Sequence, residues 1–149
     1  MKKRIIYALC ISLIFTSCVM DSSYDQRSAD NNKELVKDVF KAFNRHDFKL
    51  MTSYYADTAK FLDPELGKEF VQQSHEQVAA RYTTTATTFP NLKDSTTSII
   101  ASQNKIVTEF ISTGSSADGK SFSMRGCTVF KIENSKIVSN ATYYDSKGL

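Results

Sequence analysis

The sequence predicts an α+β domain in which helices come first and cover one face of a curled antiparallel sheet. Apolar residues recur at helical spacing up to Pro90, and from Lys93 onward they alternate with polar residues while β-branched residues become common. The alternating segments are long and are joined by short polar turns, which favours an antiparallel meander. The helices must then bury their apolar faces against one side of that sheet.

Three helices are predicted from apolar spacing and capping residues. The first can be capped by Asn31 or Asn32, and the second by Asp47. The third begins near Ser74, which forms a capping box with Gln77. The apolar faces of the first two are Leu35, Val36, Val39, Phe40 and Phe43, then Phe48, Met51, Tyr54 and Tyr55.

Five strands are predicted, and four of them form the meander. A short strand at 59–62 precedes Asp63 and Pro64. The four longer strands are at 95–101, 105–113, 121–132 and 136–144.

The first eighteen residues have the organisation of a bacterial export signal. Three cations at positions 2–4 precede an apolar run from Ile5 to Phe15, which is far shorter than the roughly 20 residues of a membrane span. Small residues then precede Cys18. We therefore expect residues 1–17 to be a signal peptide and the folded part to lie outside the cytoplasm.

Cys18 is the candidate lipidation site, because residues 15–18 (Phe-Thr-Ser-Cys) resemble the lipobox of bacterial lipoproteins. Phe15 stands where Leu is usual, so an ordinary signal peptide or an uncleaved apolar anchor is an alternative. The stretch 21–32 is polar and predicts a flexible leash, so residues 18–31 would be a lipidated cysteine and tether. We expect an exported bacterial lipoprotein, membrane-anchored and facing the periplasm or the cell surface.

Charge and cysteine content exclude some functions. The chain has 19 Lys and Arg against 16 Asp and Glu, and loss of the three signal cations brings the two into balance. A nucleic acid partner is therefore not expected. Cys10 leaves with the signal and Cys18 would be lipidated, so Cys127 cannot form an intramolecular disulfide. Cys127 is more typical of a small core residue than of a nucleophile.

Motifs for cofactors and metals are absent from the sequence. It contains no Gly-rich phosphate loop, no His/Cys metal spacing and no nucleophile elbow, so we expect no cofactor and no metal. His46 and His75 fall at helix ends, where a surface or first-turn position is the simpler explanation than catalysis.

A series of short segments resembles the SnoaL-like branch of the nuclear-transport-factor-2-like superfamily in order and spacing. They are residues 39–48, 55–57, 61–64, 89–92, 105–107, 129–138 and 143–145. The resemblance implies that residues 32–149 form a cone-shaped half-barrel, with a bent sheet around the helices and an apolar pocket at the open end. It also implies pairing through the outer sheet face, hence a homodimer, and a small apolar molecule as partner.

The activity of the family carries over less well than its fold. Polyketide and ester cyclases of this type use an aspartate and a histidine at positions that here hold Thr142 and Asn140, and Leu62 stands where histidine is common. Neither threonine nor asparagine transfers protons near neutral pH. The remaining candidate catalytic residues are Asp63 and Asp145, although each can equally end its strand by bonding to backbone amides.

Three functions therefore remain open, and whether the protein is an enzyme is not decided. The first is binding of a small apolar molecule. The second is a cyclase, isomerase or hydrolase that uses Asp63 or Asp145 with a tyrosine, and the third is an interaction module of the cell envelope. The candidate pocket-lining residues are Tyr54, Phe61, Tyr82, Met124, Asn140, Thr142 and Tyr144.

Overall fold

Three helices and a curved, unclosed six-stranded sheet make up the fold, as the sequence predicts for an α+β domain. The computed structural model describes residues 19–144, with side chains from residue 26 onward. The helices are α1 (Val19–Asn44), α2 (Phe48–Ser53) and α3 (His75–Thr88). The strands are β1 (Tyr55–Leu62), β2 (Val71–Gln72), β3 (Lys93–Ser102), β4 (Lys105–Ser115), β5 (Ser121–Glu133) and β6 (Lys136–Tyr144).

The sheet is mixed and not purely antiparallel. Its order is β2-β1-β6-β5-β4-β3, and β1 runs parallel to β6 while all other pairs are antiparallel. The meander of β3 to β6 is the predicted one. Register shifts between Thr96 and Ser98 and between Lys131 and Ile132 interrupt the ladders, which bends the strands around the helices.

The core fills the space between α1 and the concave face of the sheet. Val36 and Ala42 of α1 are fully buried, as are Ile106 of β4 and Ile137 of β6. The ring of Phe40 meets that of Phe130 edge-on, at 6.4 Å between centroids. Because inward and outward residues alternate along β4, the even-numbered residues face the helices there.

Local capping signals set the bounds of the short helices. The Asp47 carboxylate accepts a bond from the Leu50 amide, and Ser74 and Gln77 form the predicted capping box. Tyr55, predicted in the second helix, instead begins β1. Its position follows from the pairing of β1 with β6, since the Ile137 amide donates to the Tyr54 carbonyl at 3.0 Å.

The predicted leash at 21–32 is helical, because α1 begins at Val19. Ala29 is buried, and the Asn32 side chain donates to the Gln103 carbonyl. Extending an existing helix costs far less than nucleating one, so a polar segment continues a helix that its apolar second half stabilises. The proposed signal peptide and Cys18 lie outside the described residues. Within residues 19–144, no helix is long and apolar enough to cross a membrane.

Two glycines of the sheet lie directly beneath aromatic rings. A Cβ on Gly126 would overlap the ring of Phe110, and one on Gly114 would overlap the ring of Phe122 and crowd Phe89. The missing side chains therefore let these rings lie against the main chain of the sheet. Phe110 and Phe122 form part of the wall of the cavity described next.

Candidate functional site

A partly open cavity lies between α3 and the concave face of the sheet. Its larger part, here called the outer chamber, has a volume of about 260 Å³. A smaller inner chamber of about 60 Å³ is lined mostly by buried residues and shares five wall residues with it. Those shared residues are Phe43, Tyr82, Asp94, Phe110 and Thr142.

Aromatic rings form most of the apolar wall of the outer chamber. Phe43 from α1 meets Tyr82 from α3 edge-on at 5.3 Å between centroids. Phe89, at the end of α3, meets Phe122 of β5 in the same way at 4.9 Å. Such packing presents both ring faces and ring edges to a guest, which suits flat or apolar molecules.

Asp63 lies in this wall and is bonded by the protein's own donors. It is 7% exposed, and its Oδ1 accepts hydrogen bonds from the Tyr144 hydroxyl and from the Glu65 amide, both at 3.0 Å. Its Oδ2 lies 3.3 Å from a guanidinium nitrogen of Arg81. Asp63 therefore contacts a tyrosine, as the enzyme hypothesis requires, and also bonds a turn amide, as the structural interpretation requires.

Arg81 joins Asp63 to a second carboxylate. The same guanidinium nitrogen lies 3.8 Å from Glu65, and the guanidinium carbon lies 4.9 Å from the centre of the Tyr82 ring. Both are favourable contacts for a cation. The charge of Arg81 is thus compensated within this cluster, although its Nε has no hydrogen-bond partner among residues 19–144.

Asp94 is the second buried carboxylate of the cavity, and it lines both chambers. Its Oδ1 is buried and has no hydrogen-bond partner in the described part of the chain. Burial raises the pKa of Asp94 to about 6, and the hydroxyl of Ser112, its neighbour on β4, acts against that rise. The Asn44 side chain fixes the main chain here, since it bonds both the amide and the carbonyl of Asp94 at 2.8 Å.

One side of the inner chamber is a hydrogen-bonded network of neutral groups. The Asn140 amide donates to the Tyr55 hydroxyl at 3.0 Å, and the Thr142 hydroxyl donates to the Asn140 carbonyl oxygen at 2.9 Å. The Thr128 and Thr142 hydroxyls are 3.0 Å apart. Positions 140 and 142 therefore satisfy each other, and neither group transfers protons near neutral pH.

Three tyrosines at the cavity keep their protons at neutral pH. Burial raises the pKa of Tyr82 to about 12. Burial also raises the pKa of Tyr55, and burial together with the nearby Asp63 raises the pKa of Tyr144. Each hydroxyl is thus a hydrogen-bond donor, and that of Tyr144 already donates to Asp63.

The structure brings together most of the residues that the sequence predicts for the pocket. Tyr82, Met124, Thr142 and Tyr144 line the outer chamber, and Asn140 lines the inner one. Tyr54 and Phe61 line neither. Tyr54 caps α2, and the Phe61 ring stacks on Tyr55, which takes the place facing the inner chamber. Asp145 lies outside the described residues.

Sequence reasoning missed Arg81, Glu65 and Asp94. Arg81 is on the cavity side of a helix whose other members are mostly Thr and Ala, with no motif to mark it. Asp94 precedes the predicted strand at 95–101 by one residue. Extending that strand by two residues would have set Asp94 opposite the inward-facing Ser112, and this was the available signal.

Both histidines lie at helix ends, as expected. His46 follows α1, and its Nε2 is 2.9 Å from the Leu92 carbonyl oxygen. His75 begins α3, and its Nε2 is 3.0 Å from the Tyr55 carbonyl oxygen.

Cys127, expected in the core, lies half-buried on the face of β5 that points away from the helices. It is an odd-numbered residue of β5, and the core residues of that strand are even-numbered.

The family to which the sequence is similar has this fold. Residues 36–140 match the model of the SnoaL-like domain. The chain belongs to the SnoaL-like family. No curated protein matches the chain by sequence.

Solved structures show the same architecture at low sequence identity. IdmH of Streptomyces antibioticus, a proposed polyketide cyclase, has a TM-score of 0.69 and 17% identity, covering 78% of this chain and 93% of its own. A protein from Burkholderia xenovorans with the nuclear-transport-factor-2-like fold has a TM-score of 0.66 and 21% identity. The match covers 82% of this chain and 95% of that protein. A Catenulispora acidiphila protein with a ketosteroid isomerase-like fold, in complex with trimethylamine, has a TM-score of 0.67 and 16% identity. The match covers 76% of this chain and 86% of that protein. These similarities show the fold.

Proposed function

We propose that this SnoaL-like domain binds a small, mostly apolar molecule in the outer chamber. The observation that carries the proposal is a partly open cavity of about 260 Å³ whose wall combines aromatic rings with a few polar groups. That composition is typical of small-molecule sites, and the volume is just below the range of about 300–1,000 Å³ found for drug-sized ligands. The trimethylamine bound to the Catenulispora protein is consistent with a small guest in this fold.

The test is a binding screen with a variant that fills the cavity. Small aromatic compounds should raise the melting temperature of the domain, because a ligand that binds only the folded state stabilises it. Met124→Trp places a large ring in the outer chamber and should abolish the shift. Ser123→Trp is the control, because the Ser123 side chain, next to Met124 in sequence, is exposed on the opposite face of β5. If no compound binds, or if both variants bind equally, the proposal is wrong.

A second candidate function is proton-transfer catalysis at Asp63, as in a cyclase or isomerase. It is favoured by the 3.0 Å bond between Tyr144 and Asp63 in the cavity wall. The Asp63 carboxylate would accept a proton from the carbon beside a guest carbonyl. The Tyr144 hydroxyl, released from Asp63 by that protonation, would then donate to the resulting oxyanion. Wild-type protein should then catalyse deuterium exchange into small ketones, and Asp63→Asn should not. Equal exchange by both proteins would remove this candidate.

We also propose that the chain is exported and lipid-anchored through Cys18, and that the domain forms a homodimer through the outer sheet face. The export proposal is supported by the basic and apolar start of the sequence and by the lipobox-like residues before Cys18. Wild-type protein should partition into detergent and carry the mass of acyl chains, and Cys18→Ser should lose both properties. A soluble, unmodified product would indicate an ordinary signal peptide. Equilibrium sedimentation of the processed domain measures the dimer.

A further inference from the structure

The charges around the outer chamber do not balance. Its lining contains three carboxylates, Asp63, Glu65 and Asp94, and a single cation, Arg81. Arg81 lies within 4 Å of both Asp63 and Glu65, so its charge is used in that cluster. Asp94 forms no salt bridge in the described part of the chain, and its Oδ1 has no donor there.

The surroundings of Asp94 complement this unbalanced charge. Phe43, Tyr82 and Phe110 line both chambers together with Asp94. Aromatic faces attract cations, and a buried carboxylate without a donor is stabilised when a charged donor reaches it. An anionic guest would add a fourth negative charge to a wall that holds one cation. A neutral apolar guest would leave the Asp94 Oδ1 without a donor.

We infer that the cavity selects a protonated organic amine, whose ammonium group binds the Asp94 carboxylate while its apolar part packs against the aromatic wall. This inference rests on the proposed small-molecule binding and names the class of the guest. Asn44 is a positioning residue for the site, because it holds the main chain of Asp94 at both its amide and its carbonyl.

Binding of such a guest depends on the ionisation of Asp94. The other titratable groups of the wall are Arg81 and Tyr82 from α3, Asp63 and Glu65 after β1, and Tyr144 from β6. His46 lies behind the wall, on the Leu92 carbonyl. Since Asp94 has a pKa of about 6 in the protein without a guest, amine affinity should be constant between that pH and the pKa of the amine. Below it, affinity should fall about tenfold per pH unit.

The experiment compares benzylamine with benzyl alcohol, which has similar size and no charge. We expect the wild-type domain to bind benzylamine about 10- to 100-fold more tightly, the usual range for a charge-assisted hydrogen bond in a buried site. Asp94→Asn should bind both probes equally. Glu109→Gln, which removes an exposed carboxylate on the other face of the sheet, should keep the preference.

The possible outcomes separate the inference from the proposed function. Binding of benzyl alcohol by Asp94→Asn shows that the variant is folded with an intact cavity. If wild-type protein binds both probes equally, or if Asp94→Asn keeps the preference for the amine, the inference is wrong and the binding function stands. Tighter binding of benzoate than of benzylamine would also overturn it, in favour of Arg81. If no probe binds, the proposed function fails and the inference fails with it.

Discussion

Asp63 and Asp94 lie in the wall of one cavity, yet their surroundings are opposite. Asp63 is held by the Tyr144 hydroxyl, the Glu65 amide and the Arg81 guanidinium. Asp94 has a buried oxygen without any donor among residues 19–144. The first carboxylate ties β1, α3 and β6 together, whereas the second is costly for the fold and is left available for a guest. Burial alone therefore does not decide whether a carboxylate can bind a guest, because the donors that already bond it matter as well.

The largest effect is expected from Asp63→Asn. The substitution leaves Arg81 without its closest counter-charge in a site where the Arg81 side chain is only 17% exposed. Breaking a buried ion pair from one side lowers the free energy of unfolding by about 3 kcal/mol. Urea denaturation at neutral pH measures this loss.

Glu65→Gln is the matched control, because Glu65 contacts the same nitrogen of Arg81 at 3.8 Å with a side chain that is 57% exposed. It should cost less than about 0.5 kcal/mol. Equal losses for the two variants would contradict the structural role assigned to Asp63.

The opposite sign is expected for Asp94→Asn. The folded state raises the pKa of Asp94 from 3.8 to about 6, so it favours the protonated carboxyl. This contribution to stability is complete below the unfolded pKa and is lost as the pH rises through about 6. At pH 7 the variant should therefore be more stable than wild type by up to about 3 kcal/mol, and at pH 4 the two should be similar. Denaturation at both pH values measures this difference in stability. A difference that is the same at pH 7 and at pH 4 would contradict the raised pKa of Asp94.

Tyr144→Phe should have a smaller effect on the Asp63 side. It removes one of three donors to that carboxylate and should lower the free energy of unfolding by about 1 kcal/mol. Tyr143→Phe is the control, because Tyr143 is next to Tyr144 in sequence and is 53% exposed. Thermal unfolding of the two variants measures the difference, and similar midpoints would show that the Tyr144 bond adds nothing.

The smallest effect is expected from Ser112→Ala. The Ser112 hydroxyl opposes the rise in the pKa of Asp94, so its removal should raise that pKa further. Titration of the Asp94 carboxyl by NMR measures the change. Ser123→Ala, on the exposed face of β5, should leave the titration unchanged. A fall in the pKa of Asp94 in Ser112→Ala would contradict this account.

Much of the fold follows from rules that act over a few residues. The Asp47 cap, the Ser74 and Gln77 capping box and the alternation along β4 and β5 are local patterns, and the structure has them where the sequence predicts them. The family resemblance gave the half-barrel. The parallel pairing of β1 with β6 joins segments some 80 residues apart, and no short-range signal specifies it. The helical start of α1 depends on propagation from its apolar half, which composition alone does not show.

The candidate site could be predicted in part. Aromatic content and motif order pointed to a cavity, and Asp63, Tyr82, Met124, Thr142 and Tyr144 are in its wall. What distinguishes Asp94 is a buried Oδ1 without a donor among residues 19–144, and that property depends on how α1, α3 and the sheet meet. Asn44 and Asp94, which bond through side chain and main chain, are 50 residues apart. Local sequence patterns carry no information about contacts between segments that are this far apart in the chain.

The glycines beneath Phe110 and Phe122 determine how the site could change during evolution. Each ring lies against the main chain of the sheet, so there is no side chain beneath it whose rotation could deepen the cavity. A larger residue at Gly114 or Gly126 would push its ring into the space for the guest, and the accepted size would shrink in one mutational step. Guest size in this lineage is therefore expected to vary with these two backbone positions.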